Sequence, residues 1–258
     1  LSDSLHTIYL AAVFDRIMTY FFLFLGRFFL QNKTKARGLL MDTKSEQTKK
    51  VISGNKNEIG KKLTDKQYDQ DPRYWRQFGK EGEKIRLRDA NYHISFLTEA
   101  IALEDPDIFT DYVDWVRQYF KGHGYSPESI TNNLRSMQEV LKEFLPEDLY
   151  HRAAEYLDAG IHKMQEPPKK IHSYIDESAP LGTLAKAFNE ALLKGDRHEA
   201  LRMILEEVEK RTPVKDIYLH VFQTSQLEVG RLWQENQISV AREHFVSAAT
   251  QMIMSQLY

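Results

Sequence analysis

The spacing of apolar residues constrains the fold most, because from about Ala90 to the end of the chain it follows the period of an α-helix. The sequence shows no strand alternation of useful length. A proline pair, Pro167 and Pro168, separates two helical sets. We therefore predict an all-α protein with a helical domain over 90–163, a linker over 164–180 and an antiparallel four-helix bundle over 181–258.

The composition argues against several classes of function. The chain of 258 residues carries 35 basic and 37 acidic side chains, a balance that argues against a general nucleic-acid binder. It contains no cysteine, which removes disulfides, thiolate metal sites and cysteine nucleophiles and fits a reducing, cytoplasmic compartment. Motifs of conventional catalysis, such as a P-loop or H-E-x-x-H, do not occur. We therefore expect a binding or sensor module rather than an enzyme.

The first 89 residues differ from the rest of the chain. The uncharged apolar run at 17–26 is too short for a bilayer span, which needs about 20 residues. A membrane anchor is therefore the weaker interpretation, and a non-native extension before Met41 is the stronger one. Residues 41–70 are rich in Lys, Asn, Gln and Asp and predict a disordered lead-in. No helix stop signal precedes Tyr258, which predicts a fragment cut at this end.

Four residues near the last helix corner form a candidate ligand site. Trp233 lies about one turn before the end of one predicted helix, and Glu243 and His244 lie about one turn into the next. Helices joined by so short a loop pack antiparallel, so these residues and Val240 should gather at one end of the bundle.

The chemistry of these side chains suits a ligand with apolar and hydroxyl-bearing parts. Indole and valine offer apolar walls, while a carboxylate and an imidazole make hydrogen bonds. No metal ligand is predicted among them. The alternative is that Trp233 is an ordinary core residue and that one member of the Glu-His pair points outward.

Three segments of this region follow one another in a recognisable order: ALLKGDRHEA at 191–200, VGRLW at 229–233 and ISVAREH at 238–244. They resemble the helical cap of cobalamin-binding modules. The tryptophan followed, after nine residues, by Glu-His resembles the signature of light-sensing adenosylcobalamin proteins. The resemblance covers about 180–258.

The resemblance implies a cap over the upper face of the corrin ring. Trp233 and Val240 would pack against the 5′-deoxyadenosyl group. Glu243 would hydrogen-bond its ribose, and His244 would help to hold the site. The tryptophan favours adenosylcobalamin over methylcobalamin, because methyl-transfer relatives usually carry Phe or Leu at that position.

The chain departs from the light-dependent repressors of this family in two ways. Those repressors carry a histidine after the tryptophan, whereas Gln234 stands here, so a bis-histidine cobalt product at that position is not expected. They also carry an N-terminal winged DNA-binding domain, of which residues 1–89 show no pattern. We therefore expect a photosensory or regulatory module without direct nucleic-acid contact.

The lower face of cobalamin is held, in this family, by a Rossmann-like domain with an Asp-x-His-x-x-Gly motif. The sequence to Tyr258 has no such motif, since the partial match that begins at Asp196 has Leu201 in place of the glycine. We expect that domain as a partner, together with a protein partner or a second copy of the chain, and weak cobalamin affinity without it. The rival interpretations are a corrinoid methyl carrier of a methyltransferase system and a helical protein-interaction module with a degenerate site.

Overall fold

The structure, a computed structural model, describes residues 43–70 and 79–257. These residues form helices and irregular segments without any strand, which confirms the all-α prediction. No helix in this part of the chain is both long and apolar enough to cross a membrane. The apolar run at 17–26 and Met41 lie outside the described residues.

The chain divides into two compact units. The N-terminal unit runs to Phe120 and resumes from Tyr125 to Pro168, and the C-terminal unit contains Lys121–Gly124 and Lys169–Tyr258. The first six described helices are α1 (Thr43–Gly54), α2 (Lys56–Gln70), α3 (Gly79–Ala102), α4 (Pro106–Gly122), α5 (Glu128–Phe144) and α6 (Glu147–Gln165). In the N-terminal unit, α1 and α2 pack against α3, and α5 packs against both α2 and α6.

The prediction of a disordered lead-in is wrong for residues 43–70, which form α1 and α2. Ile52, Ile59 and Leu63 are fully buried and belong to the same apolar core as the later helices of this unit. The polar composition reflects the outer faces of the two helices, while a few apolar residues suffice to fix the inner faces. The predicted boundary at residue 90 is also wrong, because α3 begins at Gly79.

A buried arginine closes the end of α6. Arg117 forms an ion pair with Asp114 one turn earlier on α4, and the side chains are 5% and 9% exposed. Its Nη1 donates to the carbonyl oxygens of Lys163, at 3.2 Å, and Glu166, at 2.7 Å. These are carbonyls that a helix leaves without partners at its C-terminus. Arg117 therefore ties α4 to the end of α6.

His93 has a structural explanation in the same core. Its Nδ1 lies 2.8 Å from the hydroxyl of Tyr112, whose ring stacks on Phe96 with centroids 3.9 Å apart. Burial lowers the pKa of His93 to about 4. The imidazole is therefore neutral at physiological pH and serves the packing of α3 against α4.

The C-terminal unit is built from α7 (Gly182–Lys194), α8 (Arg197–Glu209), α9 (Val214–Ile217), α10 (Gln223–Gln234) and α11 (Val240–Met254). A π-helical turn, Tyr218–Phe222, joins α9 to α10, so these three elements form one continuous helical segment whose register changes at the turn. The turn between α7 and α8 is fixed by Gly195 at φ +91°, and Asp196 caps α8 by accepting from the amide of Glu199 at 2.9 Å.

The segment between the two helical sets has no regular helix from residue 166 to 181. It begins slightly later than the predicted linker, because α6 continues to Gln165. Within the C-terminal unit it is anchored to α10, since the amide of Tyr174 donates to Oε2 of Glu228 at 2.9 Å.

Candidate functional site

Helices α10 and α11 are held in an antiparallel register by one glutamine. Gln226 Nε2 donates to the hydroxyl of Thr250 at 2.9 Å, and Gln226 Oε1 accepts from Ser247 at 2.8 Å. Trp233 lies seven residues after Gln226, and Val240 lies seven residues before Ser247. Both are therefore about 10 Å along their helices from this contact, at the same end of the pair.

Both members of the predicted apolar pair are buried. Trp233 is 1% exposed and Val240 is 8% exposed. Neither belongs to the apolar cluster of the C-terminal unit, which is centred on residues such as Phe188, Leu192 and Val221.

The Glu-His pair begins α11 just after its cap. Ser239 caps the helix by accepting from the amide of Arg242 at 3.2 Å, as the sequence pattern predicts. The Glu243 side chain is 8% exposed and that of His244 is 39% exposed. The two nevertheless meet, with His244 Nδ1 2.8 Å from Glu243 Oε2.

Glu243 retains an unused acceptor. Its Oε1 lies 2.9 Å from the Ser247 hydroxyl, but that hydroxyl also faces Gln226 and has one proton to give. Its Oε2 is buried and, within residues 43–70 and 79–257, accepts no hydrogen bond of good geometry. A buried acceptor in this state fits a ligand hydroxyl, which would donate to it.

Burial raises the pKa of Glu243 above its ordinary value, and the hydrogen bond from Ser247 and the nearby His244 ring only partly oppose this. The folded chain therefore binds a proton at this site more tightly than the unfolded chain. Stability from this group is highest below the ordinary carboxyl pKa and is lost as the pH rises through the higher folded pKa. At neutral pH the buried carboxylate costs stability.

Glu243→Gln is therefore expected to stabilise the ligand-free C-terminal unit at pH 7, by about 1 kcal/mol, because the neutral amide has a smaller burial cost. The gain should shrink as the pH falls toward 4. Thermal unfolding across this pH range measures it, with exposed Glu190→Gln on α7 as the matched control. A variant less stable than the parent at pH 7 would show that the carboxylate is fully compensated by its neighbours.

The glycines at 122 and 124 predict the end of a helix, but sequence reasoning did not connect this turn, Lys121–Gly124, with the candidate site; the turn belongs to the C-terminal unit. The ring of His123 meets the indole of Trp233 edge to face, with centroids 6.3 Å apart. A Cβ on Gly122 would lie 2.6 Å from the carbonyl oxygen of Gln234. No local pattern could have linked residues 110 positions apart in the sequence.

These elements define an all-helical module. One end of its antiparallel helix pair contains the buried indole of Trp233, the buried carboxylate of Glu243 and the imidazole of His244. Residues 184–258 match the family model of the B12 binding domain. This match identifies residues 184–258 as a helical cobalamin-binding cap and supports cobalamin as the ligand. A comparison with curated proteins and a comparison with solved structures each gave no match.

Proposed function

We propose that the C-terminal unit covers the upper, 5′-deoxyadenosyl face of adenosylcobalamin in a light-responsive regulatory protein. The observation that carries this proposal is the buried, under-satisfied Oε2 of Glu243, at the end of the helix pair that also holds Trp233. A ribose hydroxyl is the kind of donor that this oxygen lacks. A methyl ligand has no hydroxyl, so it would leave this oxygen with the His244 contact alone.

Each residue of the site has a distinct role in this proposal. Trp233 and Val240 form the apolar wall against the adenosyl group, since together they border one end of α10 and α11. Glu243 accepts the ribose hydrogen bond. His244 is a positioning residue, because its contact with Oε2 holds the carboxylate in place from the more exposed side.

Bound adenosylcobalamin supplies a weak cobalt–carbon bond that light can break. Without the adenosyl group, Trp233 and Val240 lose an apolar partner and Glu243 loses its hydroxyl donor. The end of the α10–α11 pair then has a different best packing, which makes it an element whose two states the ligand selects. A protein partner, or a second copy of the chain, would bind differently to the two packing states.

The test compares the full chain loaded in darkness with adenosylcobalamin or with methylcobalamin. We expect tighter binding of the adenosyl form by equilibrium dialysis. We also expect a light-dependent change in amide hydrogen exchange over 229–247 and a change in molecular mass by light scattering. Glu243→Gln should weaken adenosylcobalamin binding about tenfold, because a neutral amide is a poorer acceptor for the hydroxyl.

Two results would contradict the proposal in different ways. Equal or tighter binding of methylcobalamin, with no exchange difference between light and darkness, would favour the methyl-carrier interpretation. Absence of binding to both forms at millimolar cobalamin would favour a protein-interaction module with a degenerate site. The exposed Glu190→Gln variant should behave as the parent protein in every arm.

A further inference from the structure

The indole of Trp233 is contacted by a turn that lies far from it in the sequence. Trp233 belongs to the C-terminal unit, and its exposed fraction is 1%. The ring of His123 lies edge-on against the indole at 6.3 Å. The contact comes from the Lys121–Gly124 turn, which we name the covering turn.

The covering turn is a defined structure rather than a loose loop. Gly124 has a left-handed backbone with φ +74°, and the amide of Tyr125 donates to the carbonyl of Phe120 at 2.8 Å. This six-to-one hydrogen bond is that of a Schellman motif, which ends a helix in a fixed geometry. The turn therefore has a defined local geometry.

Glycine at position 122 is required by the close approach of the turn to α10. A Cβ there would meet the carbonyl oxygen of Gln234 at 2.6 Å and the Cα of Glu235 at 3.0 Å. Both atoms belong to the backbone, so neither can rotate away as a side chain could. The covering turn thus sits directly on the end of α10, next to Trp233.

We propose that the covering turn is a lid over the cobalamin-contacting end of the cap, with His123 occupying the face of Trp233 that the upper ligand would contact. This inference rests on the proposed function for the identity of the ligand, but the cover itself follows from the contacts above. In the closed form the indole is inaccessible, so cobalamin can engage it only after the turn has moved. The apparent affinity for cobalamin is therefore the affinity of the open form multiplied by the fraction of molecules that are open.

The chain offers variants that separate the lid from general stability. Gly122→Ala adds a methyl group against the backbone of α10 and should push the turn away. His123→Ala removes the covering ring, whereas His123→Phe keeps a ring of similar size. Gly230→Ala is the matched control, because a Cβ at that position on α10 meets nothing within 4 Å.

The first readout needs no cobalamin. In a Trp75→Phe/Trp115→Phe background, Trp233 is the remaining tryptophan of the three in the chain. We expect acrylamide to quench its fluorescence more strongly in the Gly122→Ala and His123→Ala variants than in the parent, with His123→Phe and Gly230→Ala unchanged. Parent-like quenching in both Gly122→Ala and His123→Ala would overturn the lid.

The second readout is the binding of adenosylcobalamin in darkness by stopped-flow absorbance and dialysis. If the closed form dominates about ten to one, opening the lid should raise the apparent affinity about tenfold in Gly122→Ala and His123→Ala. Unchanged binding in variants that expose Trp233 would overturn the gating role. If no variant binds adenosylcobalamin, the proposed function fails, while the quenching result still decides whether the turn covers Trp233.

Discussion

Replacing Arg117 with methionine is expected to destabilise the N-terminal unit by about 3–5 kcal/mol, since the buried Asp114 carboxylate loses its ion-pair partner and keeps only the side-chain hydrogen bond from Gln118. The carbonyls of Lys163 and Glu166 at the end of α6 also lose their donor. Urea denaturation followed by Trp115 fluorescence measures the change, because Trp115 lies two residues away on the same helix. The measurement uses a Trp75→Phe/Trp233→Phe background.

Burial, rather than the presence of an ion pair, is the cause of this expected loss. Arg202→Met on α8 is the matched control, since Arg202 also pairs with a carboxylate three residues away, that of Glu199. Its side chain is 55% exposed, so the loss should be at most about 1 kcal/mol. The double variant Asp114→Leu/Arg117→Met should recover part of the stability, because it removes the stranded charge. Similar losses for the Arg117 and Arg202 variants would contradict this account.

The parts of the fold that the sequence predicts are those decided by a few neighbouring residues. Ser239, a preferred N-cap residue, starts α11, and Gly195 followed by Asp196 ends one helix and caps the next, as these residue types predict. The same holds for the Glu-His pair, because its place one turn into α11 follows from the cap. One of its two side chains is buried, and the other is partly exposed.

The parts that escaped prediction depend on contacts between distant segments. Residues 43–70 are polar enough to predict disorder, and only the core they join makes them helical. The π-helical turn at Tyr218–Phe222 shifts the register without changing the apolar spacing that a helix shows in sequence. The contact of the covering turn with Trp233 escaped prediction for the same reason, since local chemistry predicts the turn but not the indole against which His123 lies.

Trp233→Ala is expected to weaken adenosylcobalamin binding about a hundredfold, or about 3 kcal/mol, because a large buried aromatic contact is lost. Trp233→Phe separates the proposed ligand contact from a purely structural role. Phenylalanine keeps an aromatic ring but leaves less surface for the adenosyl group. Its affinity for adenosylcobalamin should therefore fall about tenfold, while that for methylcobalamin should change little.

Equilibrium dialysis of the full chain in darkness, with each cobalamin in turn, measures this ratio. Trp115→Phe is the control, since that tryptophan stacks on Tyr119 within the N-terminal unit and should leave both affinities unchanged. If Trp233→Phe weakens the binding of both cobalamins equally, the indole supports the end of α10 structurally. A loss of affinity confined to adenosylcobalamin would require the indole to face the upper ligand. The two cobalamins differ only in that ligand, so a general loss of packing would weaken the binding of both equally.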